Sequence, residues 1–412
     1  MASSRAVAGS RAVRPFAQRR VLLGVTGGIA SYKSAWLARL LTQAGAEVDV
    51  VLTRSAQEFT GAVTFEALTG RRVHTELIEA GHALDHIRLA QAAHAVVVAP
   101  ATADFLARAA TGRADDLLGA CLLATAAPVL LVPAMNDRMW THAQTRENVA
   151  HLRSLGYRVL DPDVGELAVG EGFGPGRMPE PETILAHAAR LLASQDAWGG
   201  RRVVVSAGPT REAIDPVRFI SNRSSGKMGV ALASAAWRRG ADVVLVAGPI
   251  SAPPPTGVRT VPVETTGEMR DAVARELPEA DVLIMAAAPA DFRPRAAAGV
   301  KIRKNAAPAS IELEGTPDIL VETRSLRRNG IVTVGFALET NDALDSARAK
   351  LEAKGLDLIV LNVAGERGAG FEVDTNRVTL VSRDGILELP VRPKSEVAEA
   401  ILDRIEGRLR GR

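Results

Sequence analysis

Four short stretches, RVLLGVTG, EVDVVLT, HAVVVAP and PVLLVPA (residues 20–27, 47–53, 94–100 and 128–134), are almost unbroken apolar runs. A run without polar alternation fits a strand buried on both faces, which is the situation of a parallel sheet covered by helices. Between the runs, SYKSAWLARLLTQAG, ATADFLARAATG and DDLLGACLLATAA carry apolar residues at helical spacing and end near Gly or Pro. PETILAHAARLLASQ then closes the unit as a further helix, and DAWGGR follows as a linker. The alternation restarts at RVVVSAGPT, with strands predicted at ADVVLVAG, ADVLIMAAA, IVTVGFALE and LDLIVLN. Helices are predicted over Met228–Arg239, Glu268–Glu276 and Asn341–Lys354, and NRVTLVSRDGILELP reads as a hairpin around Arg-Asp-Gly. The chain therefore predicts an α/β protein of two Rossmann-like, three-layer domains with mostly parallel sheets. Residues 1–19 form a basic, disordered tail, 20–194 the first domain, 195–201 a linker and 202–408 the second domain.

Length and composition agree with this division. The 412 residues suggest roughly two to three domains, and 47% hydrophobic with 24% charged residues is ordinary for a globular chain. Arg5, Arg11, Arg14, Arg19 and Arg20 supply much of the basic excess, yet the formal net charge is only +3. A near-neutral remainder argues for a solvated tail and against a nucleic-acid partner. Cys121 is the only cysteine, so no intrachain disulfide forms, as suits a reducing cytoplasm. The N-terminus lacks the apolar run of a secretory signal, and no stretch is long enough to span a bilayer, so a soluble cytoplasmic protein without membrane association is expected.

Candidate ligand residues lie where strands end, since ligands of open parallel sheets bind at the strands' carboxyl ends. In GVTGGIASYK, Gly27 and Gly28 sit between a strand and a helix, where a phosphate can meet helix N-terminal amides. That turn alone does not separate phosphate binding from an ordinary βα turn, because G-x-G-x-x-G is absent. Thr53 and the PATA segment (100–103) end further strands and point to the same crevice. His86 precedes a short helix, and Asn136 follows a strand; taken singly, these read as a surface histidine and a helix cap. GELAVGEGFGPGRM (Gly165 to Met178) is glycine-rich, as a loop shaped to close over a ligand would be. In the second half, Ser224, Ser225, Gly226 and Lys227 meet a helix start without a Walker motif. Asp291 and Lys301 pair an acid with a base after a strand, and Lys350 and Lys354 share a helical face that is by default simply solvated.

The motifs GVTGGIASYK, DHIRLA, PATADFLARAATGRADDLL, PAMNDRMW and G-x-L-A-x-G-x-G-x-G-P-G-R-M occur in the order found in flavin-dependent cysteine decarboxylases. The first half resembles the phosphopantothenoylcysteine decarboxylase domain of coenzyme A synthesis. DPVRFISNRSSGKMG, AAAPADFRP, KIRK, TPDIL and GFALET in the second half resemble the phosphopantothenate–cysteine ligase domain. The resemblance implies a bifunctional enzyme that ligates 4′-phosphopantothenate to cysteine with CTP through an acyl-cytidylate. FMN-dependent decarboxylation then gives 4′-phosphopantetheine by way of a thioaldehyde and an enethiol. It implies His86 as the catalytic histidine and Asn136 as the holder of the substrate carboxylate. Gly28, Ile29, Ala30, Thr53 and Thr102 are implied to line FMN.

In the ligase half, the resemblance implies that Asn222 contacts the acyl-cytidylate, Arg218 the anionic substrate and Lys301 the transferring phosphoryl group. Ala287, Asp291, Pro317, Asp318, Ile319, Leu320, Phe336, Lys350 and Lys354 are implied for CTP, with Mg²⁺ as cofactor and its ligands unknown. The flavin domain is implied to form trimers and the ligase domain dimers. Asp104, Pro289 and Thr316 depart from the usual Asn, Val and Asn. Val169 stands where many members carry a proton-donating cysteine. Either another donor completes the reaction, or the enethiol is released, or the first half survives as a flavin-binding assembly domain.

Overall fold

The computed structural model describes residues 16–193, 197–302, 310–339, 343–363 and 373–410. The tail before residue 16 and the first residues of the expected linker lie outside the described residues. Two compact units fall within Arg14–Ala193 and Ser194–Arg412, each built on its own sheet.

The first unit has strands β1 (Arg20–Val25), β2 (Glu47–Leu52), β3 (Val73–His74), β4 (Ala95–Ala101), β5 (Val129–Pro133) and β6 (Arg158–Val159). They form one parallel sheet in the order β3-β2-β1-β4-β5-β6, so the chain reverses direction between β1 and β4. Along β4, Val97 and Ala99 enter one core while Val96, Val98 and Ala101 enter the other. The unbroken apolar runs are thus strands with two covered faces. Helix Ser31–Gln43 is pinned to the sheet where Ser34 Oγ donates to the Ala99 carbonyl at 2.6 Å. Phe16, assigned to the tail from sequence, is fully buried in this core, because its ring finds an apolar site beyond the strand it precedes.

The glycine-rich segment expected as a closing flap is the greater part of an antiparallel hairpin, β7 (Asp163–Glu166) with β8 (Phe173–Arg177). Val169 lies at its tip and is fully exposed. Its far end is held by Lys33, whose buried ammonium donates to the Met178 carbonyl (2.8 Å) and to Glu180 (3.0 Å).

In the second unit β9 (Arg202–Ala207) begins the main sheet, and β10 (Arg211–Ala213) pairs with β11 (Phe219–Ser221) beside it. Then follow β12 (Asp242–Ala247), β13 (Arg259–Pro262) and β14 (Val282–Met285), and a small ladder of β15 (Phe292–Pro294) with β16 (Leu313–Gly315). Last come β17 (Val332–Glu339), β18 (Leu358–Val363), β19 (Thr375–Ser382) and β20 (Gly385–Pro393). The main order is β13-β12-β9-β14-β17-β18-β19-β20, parallel up to β18 and antiparallel in the last two strands. The predicted C-terminal hairpin is β19–β20. The helix predicted over Asn341–Lys354 runs Ala343–Ala353, its first two predicted residues lying outside the described ones.

A C-terminal helix, Lys394–Arg410, packs on helix Lys227–Arg238. Arg238 and Arg239 both reach Glu399, at 2.6 and 2.7 Å. Trp198, read as linker, is buried and donates its indole N–H to Glu406 at 2.9 Å. Among the described residues no helix is long and apolar enough to cross a membrane.

Candidate active sites

In both sheets the direction of winding reverses at one place, β1/β4 and β9/β14, and ligands of such sheets bind beyond the strand ends there. The first-unit candidates gather at that edge. Thr53 follows β2 and donates its backbone N–H to the Val25 carbonyl at 3.1 Å, which joins the ends of β2 and β1. Thr26 Oγ1 donates to the Pro100 carbonyl (2.8 Å) and accepts from the Thr102 N–H (3.1 Å), which joins β1 to β4. Thr53 and Thr102 each cap a helix, accepting from Ala56 and Phe105. Gly27 is a packing glycine: a Cβ there would meet Ser55 Cβ at 2.4 Å. Gly28 faces open space, and Ile29 beside it is exposed while Ala30 is half-buried. Only the second glycine of the pair therefore leaves backbone open to a ligand.

His86 is the second residue of helix Asp85–Ala92, whereas the sequence placed it just before the helix. A helix feeding a parallel strand runs antiparallel to it, so its first turn stands at the carboxyl edge of the sheet. Asp85 anchors it there: its buried carboxylate meets His74 Nδ1 at the end of β3 (3.2 Å), His82 Nδ1 (3.0 Å) and Arg88 (2.6 Å). Burial, opposed by Asp85, holds His74 below the usual histidine range. His86 Nδ1 itself is buried without a hydrogen-bond partner, an arrangement that is costly unless something else fills the place. Asp85 and Lys33 escaped the sequence reading, because an acid in a first turn and a lysine in a helix look solvated until the partners are known.

Asn136 caps helix Asp137–Thr141, its Oδ1 accepting from the Arg138 N–H at 3.0 Å. The cap leaves the side-chain NH₂ as the group able to donate to a carboxylate. The hairpin lies directly against this segment: Met135 donates its N–H to the Gly176 carbonyl at 3.0 Å. At Gly176, φ is +149° and a Cβ would stand 2.1 Å from the Met135 carbonyl oxygen. Gly176→Ala is therefore expected to push the hairpin off Asn136 and to lower decarboxylation by roughly tenfold or more, as a backbone clash of a few kcal/mol implies. The ligase rate of the same preparation serves as the control. Cys121 is fully buried, and burial, then Asp116 and Asp85, push its thiol up to about 12, so it is a packed side chain with no proton to offer. Asp104, the departure in PATAD, is paired with Arg108 at 3.1 Å on its own helix.

The second unit holds a cavity of about 610 Å³ at the ends of β14, β17 and β18. Asn222, Ala287, Asp291, Pro317, Asp318, Ile319, Leu320, Phe336 and Lys354 all line it, together with Ser224, Ser225, Gly226 and Lys227 at a helix N-terminus. Asn222 donates its amide to the Pro289 (2.8 Å) and Ala288 (3.3 Å) carbonyls. Pro289 serves here through its carbonyl, and Thr316 Oγ1 donates to the Ala290 carbonyl at 2.5 Å. Lys354 pairs with Asp318 at 2.8 Å. Burial opposes ionisation of Asp318, but the Lys354 ammonium and backbone amides hold it below the usual carboxylate range.

Three candidates are not brought to this lining. Lys350 is exposed on helix Ala343–Ala353 and does not line the cavity, although its carbonyl accepts from the Lys354 N–H at 3.1 Å. Lys301 is exposed beside Ile302. Arg218 is engaged by Asp215 and by the Ile302 carbonyl at 2.6 Å. Asp215 is the hub of this corner, accepting from the Val217, Arg218 and Ile302 N–H groups and from the Arg218 guanidinium. Despite its burial, the Arg218 guanidinium and these amides hold it far below the usual carboxylate range. A depressed folded-state value stabilises above the unfolded value and is lost as pH falls through the folded one. Asp215→Asn is thus expected to lower the second unit's unfolding midpoint at neutral pH. In denaturation series, the gap to the unsubstituted protein closes only below the ordinary Asp pKa of about 3.9.

Two mostly parallel sheets, one with capped helix starts beyond its strand ends and a buried histidine nitrogen that lacks a hydrogen-bond partner, the other with a cavity lined by lysines and a helix N-terminus, have the form of a two-site α/β enzyme. Residues 10–193 match the family described as Flavoprotein, and residues 198–409 the DNA/pantothenate metabolism flavoprotein C-terminal domain. The coenzyme A biosynthesis bifunctional protein CoaBC of Mycolicibacterium smegmatis is 49% identical over 405 residues, covering 94% of this chain and 97% of that one. Its counterpart in Vibrio cholerae is 44% identical over 397 residues, covering 95% and 99%. A crystal structure of the C-terminal domain of such a bifunctional protein is 42% identical and covers 53% of this chain and 100% of that one, with a TM-score of 0.45. The chain belongs to the family of bifunctional coenzyme A biosynthesis proteins CoaBC. It joins a flavoprotein decarboxylase domain to a ligase domain and is an enzyme with both activities.

Proposed function

We propose that residues 202–408 join 4′-phosphopantothenate to cysteine at the expense of CTP, and that residues 20–194 decarboxylate the product to 4′-phosphopantetheine. The observation that carries this reading is the second-unit cavity, where eight residues that the resemblance implies for CTP, and Asn222 that it implies for the acyl-cytidylate, meet around one space. A carboxylate is a poor electrophile, and a cytidylyl group makes it a good one. Asn222 holds the loop over which the acyl-cytidylate forms, while Lys301 and Arg218, which the resemblance implies for the anionic groups, lie outside this lining. Mg²⁺ is expected with the nucleotide, its phosphates supplying most ligands and Asp291 or Asp318 the protein's share.

In the first unit the orphaned His86 Nδ1, the open backbone at Gly28 and the capped helix starts after β2 and β4 fit a phosphate-bearing flavin. FMN, when bound, would supply a two-electron acceptor and donor for the cysteinyl group. Gly28, Ile29, Ala30, Thr53 and Thr102 hold it, His86 moves the proton at the substrate thiol through Nδ1, and Asn136 gives its NH₂ to the departing carboxylate. Val169, exposed and without an ionisable hydrogen, leaves the last proton to water or another group. We place the enzyme in the cytoplasm, with flavin units in trimers and ligase units in dimers.

The test is an anaerobic mass-spectrometric time course on FMN-loaded protein. With 4′-phosphopantothenate, cysteine and CTP, formation of 4′-phosphopantetheine is the expected result. Accumulation of an enethiol would show that Val169 truncates the reaction, and accumulation of phosphopantothenoylcysteine would overturn the decarboxylase half. Failure to consume CTP would overturn the ligase half.

A further inference from the structure

Behind the wall of the second-unit cavity runs a buried polar chain that no motif singled out. Thr210 follows β9, Glu212 lies on β10 and Thr266 opens helix Thr266–Glu276; all three side chains are buried, the threonines fully. Thr266 gives Glu212 Oε1 two contacts, its N–H at 2.8 Å and its Oγ1 at 2.9 Å. The Thr266 and Thr210 hydroxyls meet at 2.8 Å, and the Ala290 N–H reaches Thr210 Oγ1 at 2.9 Å. A carboxylate only accepts, so the single Thr266 hydroxyl hydrogen goes to Glu212. The Ala290 carbonyl competes poorly for it, being farther off at 3.4 Å and already accepting from Thr316. Thr210 must then donate to Thr266, which leaves its lone pairs to accept from Ala290. Every link points towards Glu212, and hydrogen bonds aligned head to tail in a dry interior strengthen one another.

The far end of the chain is the cavity wall. Ala288, Pro289, Ala290 and Asp291 all line the cavity, in the loop that follows β14. The Asn222 amide grips the Pro289 and Ala288 carbonyls, and Ser221 Oγ beside it donates to the Thr210 carbonyl at 2.7 Å. Thr210 therefore holds both parts: its carbonyl the strand end that leads into Asn222, its hydroxyl the loop that Asn222 grips. We infer that Thr210, Thr266 and Glu212 are positioning residues of ligation, whose one-way chain sets the wall at 288–291 against Asn222. This rests on the ligase reading of the cavity. Apolar side chains would fill the same space, but they would leave the Ala290 N–H buried without a partner and the wall free to shift. A shift of about an ångström is felt most when reacting groups must align, so the chain acts on turnover more than on binding.

Steady-state ligation kinetics of the full-length enzyme test this, with decarboxylation by the same preparation as the internal standard. T266V and T210V keep the shape of the native side chains, and each breaks the chain at one link. Each is expected to lower the kcat of ligation about tenfold, the worth of one buried hydrogen bond, and to change the KM of CTP and of 4′-phosphopantothenate much less. The double variant T210V/T266V should be no slower than the slower single variant, because a chain is broken only once. T266S keeps the hydroxyl and should restore most of the rate. Where T266V fails to fold, T210V decides by the same criterion, since it leaves the link from Thr266 to Glu212 intact. Normal ligation by a folded valine variant, losses that multiply in the double variant, or equal losses in T266S and T266V would each overturn the inference and leave the threonines as packing residues. Absence of ligation by the unsubstituted enzyme would instead overturn the ligase reading itself, and this inference with it.

Discussion

Replacing His86 by Asn is expected to lower decarboxylation of supplied phosphopantothenoylcysteine by roughly 10²–10⁴-fold, the range of a lost general acid–base group. Asparagine keeps a polar group near the Nδ1 position but cannot titrate. The helix should stay in place, because its anchor is the neighbouring Asp85 with its contacts to His74, His82 and Arg88. The flavin absorbance of the purified variant checks that the site still loads, and its ligase rate checks that the rest of the chain is sound. Turnover retained within the experimental scatter would mean that the buried, unpartnered Nδ1 serves packing alone and that the thiol proton leaves by another route.

Asn222→Asp is expected to have the largest effect on the other activity, lowering phosphopantothenoylcysteine formation by about 10²-fold or more. The Asn222 amide donates to two carbonyls, Pro289 and Ala288, in the loop that follows β14. A carboxylate there has no hydrogen to donate, so it would lose both bonds and face two carbonyl oxygens with its charge. The same charge would meet anionic substrates in the cavity that Asn222 lines. Coupled measurement of pyrophosphate release and ligation product gives the rate, and decarboxylation of supplied phosphopantothenoylcysteine should be unchanged. A variant that still ligates at the normal rate would remove Asn222 from the reaction.

Local structure was legible where each residue's environment is set by its near neighbours. The apolar runs became buried strands because two covered faces leave no position for a polar side chain. Thr53, Thr102 and Asn136 sit at strand ends and cap the helices that follow, as their short oxygen-bearing side chains favour. The hairpin within Gly165–Met178 was hidden because its glycines read as loop. Their reason is external: β8 lies so close to Met135 and Asp137 that Gly174 and Gly176 cannot carry a Cβ.

By itself, then, the sequence determined the α/β class, the strand segments, the two-part organisation and the chemical groups available at the strand ends. Only the tertiary structure decided the sheet orders, the hubs at Asp85 and Asp215, the tie from Lys33 to a carbonyl 145 residues away and the burial of Lys394. The physical reason is range. Backbone preferences and caps act within a turn or two, whereas desolvation and charge pairing depend on which distant segments the sheet order brings to one edge.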